Sequence, residues 1–274
     1  MWCLKMLIAE VKGSRIDAFN AEKGLDYICP QCRREVMLKK GRKVVHHFAH
    51  RPPTTCSWAR GETREHMEAK TLVSHAAKSR GLRTEVEFVV STLPGDRRAD
   101  VMVWSPQGQP IAFELQHTSI GPDEIERRAF SYASAGISQI WVPFLRSSVW
   151  KDGCQRSSGE WFVEKYSPRP FEKWVHGFNG SGGMWMYDPV DKRFWLGRLA
   201  GHQIHVPSTT WYSEWGEEQS AGGYSRWSKR FRELSLVGPY SIDELRIDPN
   251  RTRNAYSQAT YNWPAARITT LVPL

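Results

Sequence analysis

The sequence predicts an α/β fold whose central elements run helix, three strands, helix, strand, and three observations predict it. Two segments with helical start and stop signals, 61–80 and 122–135, flank three apolar runs of strand length. Turn clusters separate those runs, Leu93-Pro94-Gly95-Asp96 and Ser105-Pro106-Gln107-Gly108. Finally, Asp100 opens one apolar run and Glu114 closes the next, which brings two carboxylates to one edge of a sheet.

In chain order, Leu7–Val11 and Arg15–Phe19 read as a strand pair about a Lys12-Gly13-Ser14 turn. Residues 29–56 form a block rich in cysteine and histidine. Gly61–Arg80 reads as a helix stopped by Gly81. Arg83–Ser91, Ala99–Trp104 and Gln109–Gln116 are the three strands. The second helix, Pro122–Ala135, has Pro122 at its first position, Asp123 and Glu124 in its first turn and Gly136 at its exit. Ile140–Val142 is the next strand. Composition shifts near residue 146: a polar stretch runs to Gly159, and eight of the thirteen tryptophans follow it. Met184–Tyr187 and Arg193–Leu196 read as a hairpin about Asp188-Pro189-Val190-Asp191, and Ser213–Ser225 reads as a loop. No internal repeat is visible. The expected division is 1–60, 61–146 and 147–274.

At 274 residues with 40% hydrophobic content, a packed core is expected and global disorder is excluded. No apolar run approaches the roughly 20 residues needed to span a bilayer. The N-terminus lacks a leader pattern, so a cytoplasmic chain with no membrane partner is expected. The net charge of +9 and pI of about 9.4 point to a polyanionic partner such as nucleic acid.

The chemistry sits in three places. Carboxylates crowded at a buried edge resist ionising unless a positive charge lies between them, and a divalent cation is the usual one. On the first helix, Glu62, His66, Ala69, Val73 and Ala76 share one stripe, so Glu62 and His66 face what the helix packs on. In the cysteine block, Cys29-x2-Cys32 has zinc-knuckle spacing, and the remaining ligands come from His47, His50 and Cys56; zinc needs four of these five. Cations lie between them: Arg33, Arg34, Lys39, Lys40, Arg42 and Lys43. On the second helix, Arg128 and Tyr132 share a face with Glu124, and Arg128 is a phosphate-contact candidate. No Ser/His/Asp triad or glycine-rich phosphate loop has a convincing candidate.

Several ordered motifs resemble the competence protein CoiA family: Gly61-Glu62-Thr63-Arg64-Glu65-His66-Met67-Glu68-Ala69-Lys70, Arg98-Ala99-Asp100-Val101, Phe113-Glu114-Leu115-Gln116-His117-Thr118-Ser119-Ile120, and Arg128 through Tyr132 to Trp141. Upstream, Cys29-Pro30-Gln31-Cys32 and His47-Phe48-Ala49-His50 resemble that family's zinc-finger-like segment. The resemblance covers roughly 25–145. It implies a restriction-endonuclease-like αβββαβ core of the PD-(D/E)xK superfamily, preceded by a zinc-finger-like module; residues 147–274 lie outside the resemblance, and their composition reads as an aromatic-rich α+β region. The resemblance also implies that Asp100, Glu114 and the Leu115 carbonyl hold Mg²⁺ or Mn²⁺, that Glu62 assists from the first helix, and that Gln116 stands where the superfamily commonly has lysine. A neutral amide can orient water or phosphate but supplies no charge.

The reading is a metal-dependent DNA nuclease in DNA uptake and recombination or in defence against foreign DNA, with catalytic candidates Glu62, His66, Asp100, Glu114 and Gln116. The rival is a recombination factor that binds DNA without cutting it, and Gln116 favours that rival. DNA-contact candidates are Arg98 and Arg128, together with Lys229, Arg230 and Arg232 among the C-terminal tryptophans. That C-terminal region is also where a protein partner would bind.

Overall fold

A computed structural model describes residues 5–274 except 43, 57, 59–61, 94 and 259, and the backbone alone at 181, 229, 230 and 249–251. The chain begins with six short strands: β1 (Lys5–Met6), β2 (Ile8–Val11), β3 (Ser14–Asp17), β4 (Tyr27–Ile28), β5 (Glu35–Lys39) and β6 (His47–His50). They form one antiparallel sheet in the order β1-β6-β5-β4-β2-β3. Lys12 (φ 50°) and Gly13 (φ 78°) both take the left-handed conformation that a tight hairpin requires. Met6, Ala9, Tyr27, Val36, Phe48 and Trp58 form a small core beneath it.

The predicted middle order is found. Helix α1 (Arg64–Ser79) precedes the antiparallel strands β7 (Thr84–Val90), β8 (Arg97–Trp104) and β9 (Pro110–Gln116). Helix α2 (Pro122–Ser134) then leads to β10 (Ser138–Pro143), parallel to β9. α1 starts later than expected. The Thr63 hydroxyl accepts from the His66 N–H, which makes Thr63 the cap and leaves Glu62 in the chain before the helix. Strands β9 and β10 are buried almost throughout, as strands covered on both faces are.

The remaining elements are α3 (Ser148–Asp152), β11 (Cys154–Gln155), β12 (Trp161–Val163), α4 (Pro170–Asn179), β13 (Met184–Asp188), β14 (Arg193–Val206), β15 (Thr209–Tyr212), β16 (Glu218–Ala221), β17 (Tyr224–Tyr240), β18 (Leu245–Arg253), β19 (Tyr256–Gln258), β20 (Tyr261–Trp263) and β21 (Ala266–Pro273). Strands β11, β12, β17, β14 and β13 make a further, five-stranded sheet. β21 joins β10 in parallel and β18 flanks β21, so the central sheet runs β18-β21-β10-β9-β8-β7. The region after 147 therefore shares the central core: Val73, Val101, Phe113 and Val142 pack with Trp185, Phe194 and Leu271.

A second cluster joins Ile125, Ala129 and Trp141 to Trp174, Phe178 and Trp263. The indole N–H groups of Trp174, Trp185 and Trp263 each donate to a backbone carbonyl, so these rings are satisfied in the core. Gly177 is needed there, because a Cβ would meet the Trp263 ring at 2.3 Å. The stretch 213–225, expected as a loop, holds β16 and the start of β17; β15 and β16 form a hairpin at the end of the long β14/β17 ribbon. Among the described residues, no helix is long and apolar enough to cross a membrane.

Candidate active site and metal centres

The C-terminal end of β9 and the start of β8 bring Asp100 beside Leu115. Asp100 Oδ2 accepts from the Leu115 N–H at 2.9 Å and lies 3.1 Å from His66 Nε2. His66 projects from the first turn of α1, and its Nδ1 lies 3.8 Å from Glu62 Oε2. One ligand atom from each of Glu62, His66 and Asp100 can be chosen so that all lie within 4.8 Å of one another. The Leu115 carbonyl faces the same way. The next carbonyl, of Gln116, accepts from Phe144 N on the β10 side, and successive carbonyls of a strand point to opposite sides.

The charges are mutually dependent. Burial works to raise Asp100, but the charges of His66 and Lys70 hold it far below the usual carboxylate range. Burial likewise opposes charge on His66, and the Asp100 carboxylate overcomes it, so the imidazole is raised above its ordinary value.

Two further members were not expected from the sequence. Lys70, one helical turn beyond His66, is fully buried; its Nζ lies 2.6 Å from Glu62 Oε2, 3.0 Å from Glu87 Oε1 and 3.8 Å from Asp100 Oδ1. Glu87, on β7, is itself buried. The i, i+4 spacing of His66 and Lys70 was the available signal, since it puts both on one face.

Glu114 lies outside the Glu62–His66–Asp100 group. Its carboxylate is held by Arg128 Nη2 at 2.7 Å and by the Tyr132 hydroxyl, which donates at 2.6 Å. Burial pushes Glu114 up to about 7, against the opposing pull of Arg128. Glu124, expected with Arg128, pairs instead with Arg127. The Gln116 amide nitrogen donates to the Thr118 carbonyl. Arg98 lies over the Trp58 ring, 4.8 Å from its centroid, with Nη2 3.7 Å from Glu62 Oε1. Trp58, Arg98, Asp100, Gln116, His117 and Arg128 all line one cleft of about 630 Å³.

The cysteine block forms a second centre. Cys29, Cys32, His50 and Cys56 converge, with Cys29 Sγ 3.8 Å from Cys56 Sγ and Cys32 Sγ 3.3 Å from His50 Nε2. His47 is not in this group; its Nδ1 lies 2.7 Å from the Val45 carbonyl. Three thiols and one imidazole match the donor set of structural zinc.

On the β14/β17 ribbon, Arg232 lines a recess of about 650 Å³ with Arg226, Trp227 and His202. The side chains of Lys229 and Arg230 lie outside the described residues. Trp211, Trp215 and Trp227 are exposed on the ribbon and its terminal hairpin, unlike the tryptophans of the core.

Comparison with known proteins finds two family domains along the chain. The N-terminal domain of competence protein CoiA matches residues 9–59, and the nuclease-like domain of competence protein CoiA matches residues 62–198. A relative, Competence protein CoiA of Bacillus subtilis (strain 168), is 27% identical over 117 residues, 42% of this chain. The matched stretch is 31% of that relative's length. No solved structure matches significantly. With the nuclease-like domain spanning half of its length and the N-terminal domain directly before it, the chain belongs to the competence protein CoiA family.

Proposed function

We propose that this chain is a divalent-metal-dependent nuclease acting on DNA, with a restriction-endonuclease-like core and a zinc-stabilised N-terminal module. The observation that carries this is the convergence of Glu62, His66 and Asp100 at the strand edge of a nuclease-like domain. Acids gathered where a phosphodiester must approach serve a cation better than they serve a bare polyanion.

Asp100, with Glu62 and His66 beside it, would hold the ion, and the Leu115 carbonyl faces the same side. Mixed carboxylate and imidazole donors fit Mn²⁺ better than Mg²⁺. When bound, the ion would supply Lewis acidity to a phosphate and lower the pKa of a water. The chain's own groups do the positioning. Glu114 and Tyr132 fix Arg128 in the cleft wall, where its guanidinium can meet a phosphate oxygen. Arg98, over the Trp58 ring, offers a second cation in the same cleft. With one amide N–H given to the Thr118 carbonyl, Gln116 keeps its amide oxygen and a second N–H that can orient water. Cys29, Cys32, His50 and Cys56 would hold zinc and tie the N-terminal sheet together.

The relative's name links it to competence, and uptake-linked recombination is the setting we assign here; defence against foreign DNA uses the same chemistry. Gln116, and an acid centre whose charge Lys70 already offsets in part, favour a second reading in which the chain binds DNA without cutting it. A plasmid-nicking assay with and without chelator separates the two. Divalent-dependent nicks support the nuclease, and tight binding without nicks supports the factor.

A further inference from the structure

Lys70 lies at the centre of the acid cluster, yet it cannot touch a substrate, because it is fully buried. A buried ammonium is costly unless it is paired and hydrogen-bonded. Here it donates to Glu62 and Glu87 and stands 3.8 Å from Asp100. Two of these acids, Glu62 and Asp100, are the ones proposed above to take a metal. A divalent cation arriving at them must therefore share them with a fixed positive charge only a few ångströms away.

Glu87 keeps Lys70 in this place. It is a non-glycine residue at φ 52°, a conformation that persists only where surrounding structure enforces it. Three contacts hold the residue, one at its backbone and two at its carboxylate. Leu7 N, in the N-terminal sheet, donates to Glu87 Oε1 at 3.3 Å. Arg15, from the same sheet, donates to the Glu87 carbonyl at 3.1 Å. Lys70 donates to Glu87 Oε1 from the other side at 3.0 Å. The acid that seats Lys70 is thus held by the zinc-binding module.

Resting on the metal reading above, we propose that Lys70 is an internal counter-cation of the acid centre, seated by Glu87, which sets how tightly that centre takes a divalent cation. Lys70 and Glu87 are positioning residues and do not touch the reacting phosphate. Lys70 keeps Glu62 and Asp100 together when no metal is bound, and it lowers the metal affinity in return. Glu87 draws the ammonium partly away from those two ligands.

The test is calorimetric titration of the zinc-loaded full chain with MnCl₂, alongside melting curves, for wild type, Lys70→Met, Glu87→Gln and the double variant. Lys70→Met is expected to bind Mn²⁺ at least about tenfold more tightly, because like charges this close oppose one another strongly. Its melting temperature should rise more on adding Mn²⁺ than that of wild type. Glu87→Gln keeps an oxygen for Leu7 but loses the charge, and should bind Mn²⁺ several-fold more weakly. In the Lys70→Met background that second change should shrink, because part of it acts through Lys70. A merely structural role would weaken both single variants.

Unchanged or weaker Mn²⁺ binding by folded Lys70→Met overturns the proposal. If Lys70→Met does not fold, Lys70→Gln, which removes the charge but keeps a donor for the acids, decides by the same criterion, and unchanged or weaker Mn²⁺ binding there overturns the proposal. A wild type that takes no Mn²⁺ overturns the metal reading itself, which is a different failure from equal binding by all four proteins.

Discussion

At Asp100, one carboxylate meets a backbone N–H, an imidazole and, slightly farther off, a buried ammonium. Asp100→Asn keeps the shape and an oxygen for Leu115 while removing the charge that holds His66 and any metal. The expected result is a loss of at least about hundredfold in cleavage rate with a cooperative melt retained, read by plasmid nicking beside a melting curve. Cleavage at the wild-type rate would remove Asp100 from the site. At Gln116, replacement by Ala should slow cleavage several-fold and leave DNA affinity nearly unchanged, since it orients rather than binds. Equal cleavage makes it a strand residue that only braces Thr118.

Asp100, Glu62 and His66 were legible in the sequence because an acid at a strand start and a polar pair on an apolar helix stripe are local patterns. Lys70 was not. A lysine on a helix is read as solvated, and only three carboxylates from separate elements, one of them on β7, make its burial affordable. Glu114 was legible as an acid at the edge, but its engagement by Arg128 and Tyr132 depends on how α2 lies over β9.

Among the elements, the N-terminal sheet has short strands and a small core, and the proposed zinc at the cysteine centre would supply the stability that so small a core lacks. Cys29→Ser or Cys32→Ser should take the zinc content from one per chain to near zero and lower the melting temperature of this part, because structural zinc supplies folding energy directly. Elemental analysis of wild type purified without chelator checks it, and a content near zero would rule out the zinc centre.

The same sheet is pinned to α1 by Asp17, whose carboxylate lies 3.1 Å from Lys78 Nζ. Burial opposes its charge, while the Asn20 N–H and Lys78 win and hold it below its ordinary value. A carboxyl depressed in the folded state stabilises above its unfolded pKa of about 3.9 and loses that contribution as pH falls through the folded value. Asp17→Asn should therefore cost at most about 1 kcal/mol at pH 7, Lys78 being well exposed, and the difference from wild type should fade as the solution is acidified below about pH 4. Denaturant melts at both pH values measure this.

Helix and strand order from α1 to β10 followed from caps, turns and periodicity. The late start of α1 did not, because Glu62 falls on the helical stripe while Thr63 takes the capping role. The hairpin at 209–221 was hidden because its strands are exposed on both faces and carry no apolar alternation.

Over the whole molecule, the central sheet is extended by β21, more than a hundred residues beyond the β10 it pairs with. No local pattern encodes so distant a parallel pairing, which is why the C-terminal region read as a separate part. Its tryptophans divide accordingly: Trp174, Trp185 and Trp263 build the shared core, and Trp211, Trp215 and Trp227 are left on the ribbon. Aromatic rings interleaved with Arg226 and Arg232 suit a nucleic-acid strand. Replacing both arginines with Ala should weaken binding to DNA of any sequence. It should also flatten the salt dependence by about 2 in slope, one for each phosphate no longer neutralised. Titrations at several salt concentrations read it, and an unchanged slope and affinity would leave the ribbon as a structural or protein-contacting part, with DNA held elsewhere.

The central claim is that the acids gathered around Asp100 cut DNA with the help of a divalent ion. Its most direct measurement is nicking of supercoiled plasmid by zinc-loaded wild type and Asp100→Asn, each with Mn²⁺, with Mn²⁺ and excess EDTA, and with Mn²⁺ restored after chelation. The account predicts nicks from wild type only where Mn²⁺ is free, and none above background from Asp100→Asn. Nicking that persists in EDTA, or that is equal in the two proteins, would contradict it.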